Sequence, residues 1–355
     1  HLLSITGEEE PVVVFNEGHA TLWNGWIRPN SDEVVTRRRD WKNVEGYQDE
    51  CDGVYEVIAS ETLQVGPVDQ VNQRELHTID YEGRCGAFLG AFRLDFFQFS
   101  RDSDSIVYRV FQESFYVNID NIDALFAAPL EGGGTAQPIS EEFDSREDLV
   151  QVAVSPDSSL AGFVARYGGP FQFYVSPLDA SSPQIALSGT LPEGGNVTNF
   201  LFAPDSSRAV YRADQETDEW FGLYCAPLDG SGEAVRLSGP HHTAADFAIT
   251  AGSRFAVYRG RTAEDAPYEL YRVPLEGGRL PVRLNTDLPA GGEVSSFEVS
   301  ANGDWVVYHA DQESDELGEL FGVRVDGSAA PVRLNGPLAS GGGVDQYRLS
   351  DDGRW

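Results

Sequence analysis

The chain has 355 residues, 25 basic and 57 acidic, for a formal net charge of −32, and 41% of it is hydrophobic. That is enough apolar material for a sizeable core and too much for a disordered chain. With Lys42 as the single lysine, the balance argues against nucleic acid and anionic membrane surfaces, and no run approaches the roughly 18 apolar residues of a membrane-spanning helix.

The chain opens at His1, contains no Met and shows no charged start followed by an apolar run, so it reads as a mature or truncated product. In residues 1–20, Pro11–Asn16 resembles the segment from Pro331, which predicts an outer strand of a preceding or closing sheet. Residues 21–93 form an irregular first unit with an insertion. It holds Arg37-Arg38-Arg39, the one basic run, beside Trp41 and Lys42. Insertions on a rigid scaffold often carry recognition; the plainer expectation is an embellished first unit. Cys51 and Cys85 fall in this stretch and either pair or remain free thiols, while Cys225 reads as strand packing.

From residue 94 a repeat takes over, with units at 94–146, 147–193, 194–243, 244–292 and 293–342 and a truncated start at 343–355. One turn position anchors it: Asp102, Asp157, Asp205, Gly252, Asn302 and Asp352, spaced by 55, 48, 47, 50 and 50 residues. Apolar residues stand five and three positions before each anchor, as in Phe200 and Phe202 or Phe297 and Val299. That period of two predicts a strand. Six residues after the anchor comes an aromatic: Tyr108, Phe163, Tyr211, Tyr258 and Tyr308. A third strand begins at pairs such as Leu223-Tyr224 and ends at an Asp-Gly turn such as Asp229-Gly230. Val235-Arg236-Leu237, Val282-Arg283-Leu284 and Val332-Arg333-Leu334 supply a short fourth strand.

Four short antiparallel strands per period, with no helical stripe, predict an all-β chain: a β-propeller of four-stranded antiparallel blades, about six to seven blade positions, the last incomplete. Asp102, Asp157, Asp205, Asn302 and Asp352 are expected as structural turn residues, and the aromatic faces as the contact between blades.

Ser155-Pro156-Asp157-Ser158-Ser159, Ala203-Pro204-Asp205-Ser206-Ser207 and Ser350-Asp351-Asp352-Gly353 resemble the Ser-Pro-Asp-Gly turn of the TolB-like, WD40-like β-propeller repeat family. The Leu-Tyr strand, Asp-Gly turn and Arg-Leu strand match as well. The likeness covers about residues 94 to 355, and Ser158 and Ser206 stand where that family has Gly. It implies an interaction scaffold and a bacterial periplasmic or extracellular location. Prolyl-oligopeptidase relatives carry similar propellers, but no G-x-S-x-G elbow occurs in this chain.

The segments richest in potential chemistry are Asp214-Gln215-Glu216-Thr217-Asp218-Glu219 and Asp311-Gln312-Glu313-Ser314-Asp315-Glu316. Alternating oxygens suit a hard cation, making Asp214, Glu216, Asp218, Asp311, Glu313 and Asp315 candidate calcium ligands against the alternative of a solvated acidic rim. No other cofactor is expected. His241-His242 reads as a surface loop and His309 as a polar edge substitution; no H-E-x-x-H or phosphate-binding glycine loop is present.

The expected function is non-catalytic binding of a protein or peptide by loops at one end of the blades. The alternative is the gating propeller of a larger serine hydrolase whose catalytic domain is not in this chain. A carbohydrate-binding or lyase propeller is a third reading, favoured if aromatics such as Trp220 cluster around a pocket.

Overall fold

The computed structural model describes residues 25–27, 33–45, 54–67, 74–80, 92–112, 123–145, 148–240, 242–313, 317–338, 342–344 and 346–350. Among them lie six four-stranded sheets, each in unbroken sequence order and antiparallel where its pairing is described, and no α-helix. No helix of the described residues is long and apolar enough to cross a membrane. Sheet I comprises β1 (Gly25–Ile27), β2 (Glu33–Glu45), β3 (Val54–Pro67) and β4 (Arg74–Asp80). Sheet II comprises β5 (Phe92–Phe99), β6 (Ser105–Gln112), β7 (Asp123–Pro129) and β8 (Gln137–Pro138). Sheet III follows with β9 (Leu149–Val154), β10 (Leu160–Ala165), β11 (Gln172–Pro177) and β12 (Ile185–Ala186). Sheet IV has β13 (Val197–Phe202), β14 (Arg208–Ala213), β15 (Gly222–Pro227) and β16 (Val235–Arg236). Sheet V has β17 (Thr243–Ile249), β18 (Phe255–Arg261), β19 (Glu269–Pro274) and β20 (Val282–Arg283). Sheet VI closes the series with β21 (Val294–Val299), β22 (Trp305–Ala310), β23 (Glu319–Arg324) and β24 (Val332–Arg333).

By contacts the chain forms two compact units, residues 1–147 with 153–161 and 176–184, and residues 148–152 with 162–175 and 185–355. Among the described residues of the first unit, β2 and β3 of sheet I form a long hairpin of 13 and 14 residues, with Arg38 opposite Thr62 and Arg39 opposite Glu61. Charged residues in the Arg37–Lys42 stretch hide the period-two signal there. Cys51, Cys85 and the segment Pro11–Asn16 lie outside the described residues.

The repeated turn has a local cause. Asp102 Oδ1 accepts hydrogen bonds from Ser100 Oγ (2.6 Å) and the Asp104 N–H (3.1 Å), while Ser100 Oγ accepts from the Ser105 N–H (2.9 Å). Asp157 repeats the pattern with Ser155 and Ser159, Asn302 with Ser300 and Asp304, and Asp205 keeps the Ser207 N–H at 3.0 Å. Asp352 lies outside the described residues. The hydrogen bond from Ser100 holds the Asp102 carboxyl below its ordinary range. For Asp205, burial works in the opposite direction and the bonds from Ser207 and Ser253 prevail, again lowering it.

The serines that stand in the glycine position keep the glycine conformation. Ser103, Ser158, Ser206 and Ser253 hold φ of 65°, 63°, 56° and 55°. That region costs a side-chain-bearing residue roughly 1–2 kcal/mol, and at Ser158 and Ser253 a contact to the preceding turn offsets part of it. The Asp102 N–H donates to Ser158 Oγ at 3.1 Å, and the Asp205 N–H to Ser253 Oγ at 3.0 Å. At Gly303 (φ 73°) a Cβ would stand 2.9 Å from Ala251 N, so there the turn closes on the preceding one without a side chain.

Within the second unit the core lies between successive sheets. Val210, Leu223, Cys225 and Leu237 of sheet IV meet Phe247, Tyr258, Tyr271 and Val273 of sheet V. Val257, Leu270 and Leu284 of sheet V meet Val306, Tyr308, Phe321 and Val323 of sheet VI. Each such side chain contributes roughly 1.5–3 kcal/mol when fully buried. Cys225 is one of these packed groups, and desolvation raises its thiol to about 11.

The repeat aromatics stack across each sheet: Tyr211 on Tyr224 at 5.5 Å, Tyr258 on Tyr271 at 5.4 Å and Tyr308 on Phe321 at 5.4 Å. Burial raises the phenols of Tyr108, Tyr211, Tyr258, Tyr271 and Tyr308, and Tyr224 to about 12. An unfolded tyrosine ionises near pH 10. Above that pH the unfolded chain loses protons the folded one retains, so stability is present below about pH 10 and falls as pH rises beyond it. Circular dichroism between pH 8 and 12 is expected to show cooperative unfolding that begins just above pH 10. Unchanged stability to pH 11.5 would mean that the phenols ionise in place.

Candidate functional site

Because the strands of a sheet alternate in direction, the loop from second to third strand and the connection from the fourth strand to the next sheet emerge at one end. The acidic loops belong to this end. Their carboxylates are turned to separate partners instead of converging. Asp214 is buried; its Oδ1 accepts the Asn196 N–H at 2.5 Å and its Oδ2 the Glu219 N–H at 2.9 Å, which ties the loop to the entry of β13. Asp311 Oδ1 accepts the Glu293 N–H at 2.5 Å at the entry of β21. Glu216 pairs with Arg236 of β16 at 2.5 Å, and Glu313 with Arg333 of β24 at 3.0 Å. Asp218 packs against Gly194, where φ is 87° and a Cβ would come within 2.7 Å of its carboxylate. Asp315 is outside the described residues, among which no group of three or more His, Cys, Asp or Glu is placed to hold a metal ion.

The glutamine in each loop has a role the sequence reading passed over. Tyr211 Oη donates to Gln215 Oε1 at 2.8 Å, and Tyr308 Oη to Gln312 Oε1 at 2.8 Å. Gln312 Oε1 also accepts the Thr286 N–H at 3.1 Å, which joins the preceding connection to the buried ring. The pattern Tyr-x-Ala-Asp-Gln, present in both loops, is the signal that identifies it. In sheet V the loop lacks this glutamine, and Tyr258 Oη instead lies 3.0 Å from His242 Nδ1. His242 is half-buried, edge-on to Tyr271 at 4.7 Å, and so is part of the packing beneath the loops; His241 is outside the described residues. Trp220 is half-buried at the end of its loop, its N–H donating to Thr217 O at 3.1 Å.

Below the loops runs a second recurring device. Arg212 donates to Ala244 O (2.7 Å) in the next sheet and to Thr198 Oγ1 (3.0 Å), with its guanidinium 4.0 Å from the Phe221 ring centroid. Arg259 pairs with Asp246 (2.8 Å), donates to Val294 O (3.0 Å) and lies 5.5 Å from the Tyr268 ring. A register shift early in β13, β17 and β21 leaves residues including Thr198, Asp246 and Ser295 out of the ladder. A bulge re-aims side chains, and here it aims them at this second-strand position. In sheet VI the position is His309, whose Nδ1 lies 2.6 Å from Ser295 Oγ, with Gly318 in place of the aromatic.

Arg236, Arg259, Arg283 and Arg333 are paired with acidic side chains, and the carboxylates of Glu216, Asp246, Asp287 and Glu313 in those pairs remain about half or more exposed. The loop end is therefore a rigid frame that presents negative charge.

No protein-family profile matches the chain, and no curated protein matches it. Solved structures do resemble it. TolB from Acinetobacter baumannii is 18% identical over 75% of this chain and 58% of that one, with a TM-score of 0.38. Oligogalacturonate lyase from Vibrio parahaemolyticus is 13% identical over 88% and 79%, with a TM-score of 0.45. A prolyl endopeptidase is 13% identical over 94% and 46%, also at 0.45. The chain thus spans less than two thirds of the TolB and under half of the prolyl endopeptidase. The six sheets are blades. The chain has the β-propeller fold. At these identities the likeness concerns the fold alone, and the role of the propeller is a separate question.

Proposed function

We propose that this propeller is a non-catalytic scaffold that binds a protein or peptide through its loop end. One observation carries the reading: the loop carboxylates and glutamines are committed to holding rigid loops, and what they leave facing solvent is a negatively charged, preformed surface. Pre-organisation limits the ordering cost of binding, and excess charge of one sign accelerates encounter with the opposite sign. The partner is accordingly a basic protein or peptide segment, and the protein works in the bacterial periplasm or outside the cell, as its family resemblance implies. The test is affinity capture with the intact chain against a charge-reversed variant, Glu216→Lys with Asp287→Lys. Capture of a basic partner at low salt, reduced by the variant and by 0.5 M salt, is the expected result. Equal capture by both proteins would sink the proposal.

A second reading makes the chain the gating propeller of a prolyl-oligopeptidase-like serine hydrolase, which draws on the same blade motifs. A G-x-S-x-G elbow with Asp and His after it, elsewhere in the complete gene, and cleavage of a chromogenic prolyl peptide by the full-length product would decide for it.

A further inference from the structure

The second-strand arginine recurs, but its counter-charge does not. Arg109 holds Asp123 at 2.6 Å, and Arg259 holds Asp246 at 2.8 Å. In sheet IV the residue in the place of Asp246 is Asn199. Each directly precedes the phenylalanine opposite the second-strand tyrosine, Phe247 facing Tyr258 and Phe200 facing Tyr211. Asn199 is uncharged, and its Oδ1 accepts from Thr198 Oγ1 at 3.0 Å. Arg212 gives its Nε to Ala244 O and its Nη1 to Thr198 Oγ1, both neutral acceptors. Among the described residues no carboxylate forms an ion pair with it. The Phe221 ring at 4.0 Å covers one face of the guanidinium, and the residue is half-buried. Burial draws Arg212 below its ordinary range, against the raising influence of Tyr268, Asp214 and Asp246. Neither carboxylate is available to it, since Asp214 receives the Asn196 and Glu219 N–H groups and Asp246 receives Arg259. A partly desolvated cation without a paired anion is costly, and an anion from outside relieves that cost. A guanidinium has five N–H donors, so the two bonds above leave most of them for a ligand.

We propose, resting on the peptide-binding role above, that Arg212 with Thr198 and Asn199 beside it is a subsite for the C-terminal carboxylate of the bound peptide. The surrounding charge selects that source. Arg212 is the last residue but one of β14, at the base of the acidic loop, and the Glu216 and Asp246 side chains near it are 55% and 48% exposed. Their field repels a free anion, so a carboxylate arrives on a chain whose other charges are positive. A free C-terminus preceded by Lys or Arg meets both conditions. Its basic side chains lie along the rim, and its carboxylate takes charge-assisted hydrogen bonds from Arg212.

The experiment titrates the intact chain into a fluorescently labelled pool of peptides, rich in Lys and Arg and ending in a free carboxylate, and follows anisotropy at low salt. A second pool of the same composition ends in an amide. The free-acid pool is expected to bind at least about tenfold tighter. Asn199→Asp rebuilds the ion pair of sheet V inside the site, so this variant is expected to melt no lower than the wild type and to lose the preference. Equal binding of the two pools, or a preference that survives in Asn199→Asp, would overturn the inference while leaving a basic partner on the rim. An amidated pool with Glu in the last position that bound as tightly as the free acid would give Arg212 to a side-chain carboxylate, and also overturns it. Binding of neither pool overturns it too, and the capture experiment above then decides separately whether the scaffold role stands.

Discussion

Tyr258→Ala is expected to lower the unfolding free energy by about 3–5 kcal/mol, a large part of the ~5–15 kcal/mol of a typical domain. The ring is fully buried, stacks on Tyr271 at 5.4 Å and belongs to the cluster in which sheet V meets Val210, Leu223 and Leu237 of sheet IV. Removing it therefore takes apolar contacts from two sheets at once and leaves a cavity that neither short-stranded sheet collapses to fill. Tyr258→Phe keeps the stack and removes only the hydroxyl beside His242 Nδ1, so its loss should be smaller, about 0.5–1.5 kcal/mol. Urea denaturation with an unchanged m-value measures both. An Ala variant that lost less than 1 kcal/mol would show that the aromatic faces are not what joins adjacent sheets. Hydrogen exchange should find the added opening concentrated in sheets IV and V, since each sheet relies on its neighbours.

The second large effect is expected at Asp123. Its two oxygens receive Arg109 Nε and Nη2 at 2.6 Å each, both side chains are buried, and the guanidinium lies between the Phe111 and Phe143 rings at 5.7 and 5.4 Å. Asp123→Ala takes the carboxylate from a buried cation, at a cost of about 3–5 kcal/mol. Adding Arg109→Met should recover much of that loss, because an apolar group of similar volume removes the desolvated charge. Chemical denaturation of the two single variants and the double variant provides the coupling energy. Additive losses would mean that the two groups do not stabilise one another. The exposed pair Arg283–Asp287 supplies the contrast, with an expected effect below about 1 kcal/mol.

Much of the fold was legible before any coordinates. The turn Asp, the apolar positions five and three residues before it and the Tyr six after recur because each blade solves the same local problem with the same short-range chemistry. Bonds such as the one from Ser100 Oγ to the Asp102 carboxylate and from the Asp104 N–H to the same carboxylate span only two residues, so they are written in adjacent letters. The acidic loops were legible as segments, but the partners of their carboxylates were not. Asp-Gln-Glu-x-Asp-Glu spells alternating oxygens to a reader of spacing, yet Asp214 is taken by a backbone amide 18 residues earlier and Glu216 by an arginine 20 residues later. Such partners come from other strands, and spacing along the loop carries no record of them.

By itself, then, the sequence determined the sheet type, the period, the turns and the residues that face a neighbour, all consequences of local pattern and burial. Only the tertiary structure decided that Thr198, Asp246 and Ser295 leave the strand ladder to meet a second-strand side chain. It alone decided that Ser158 and Ser253 hold a left-handed φ against the preceding turn, and that Gly303 closes its turn on Ala251. The reason is physical: a bulge, a contact between turns and the covering of a face each depend on groups about fifty residues apart or on a different strand, and their energies exist only once those groups meet.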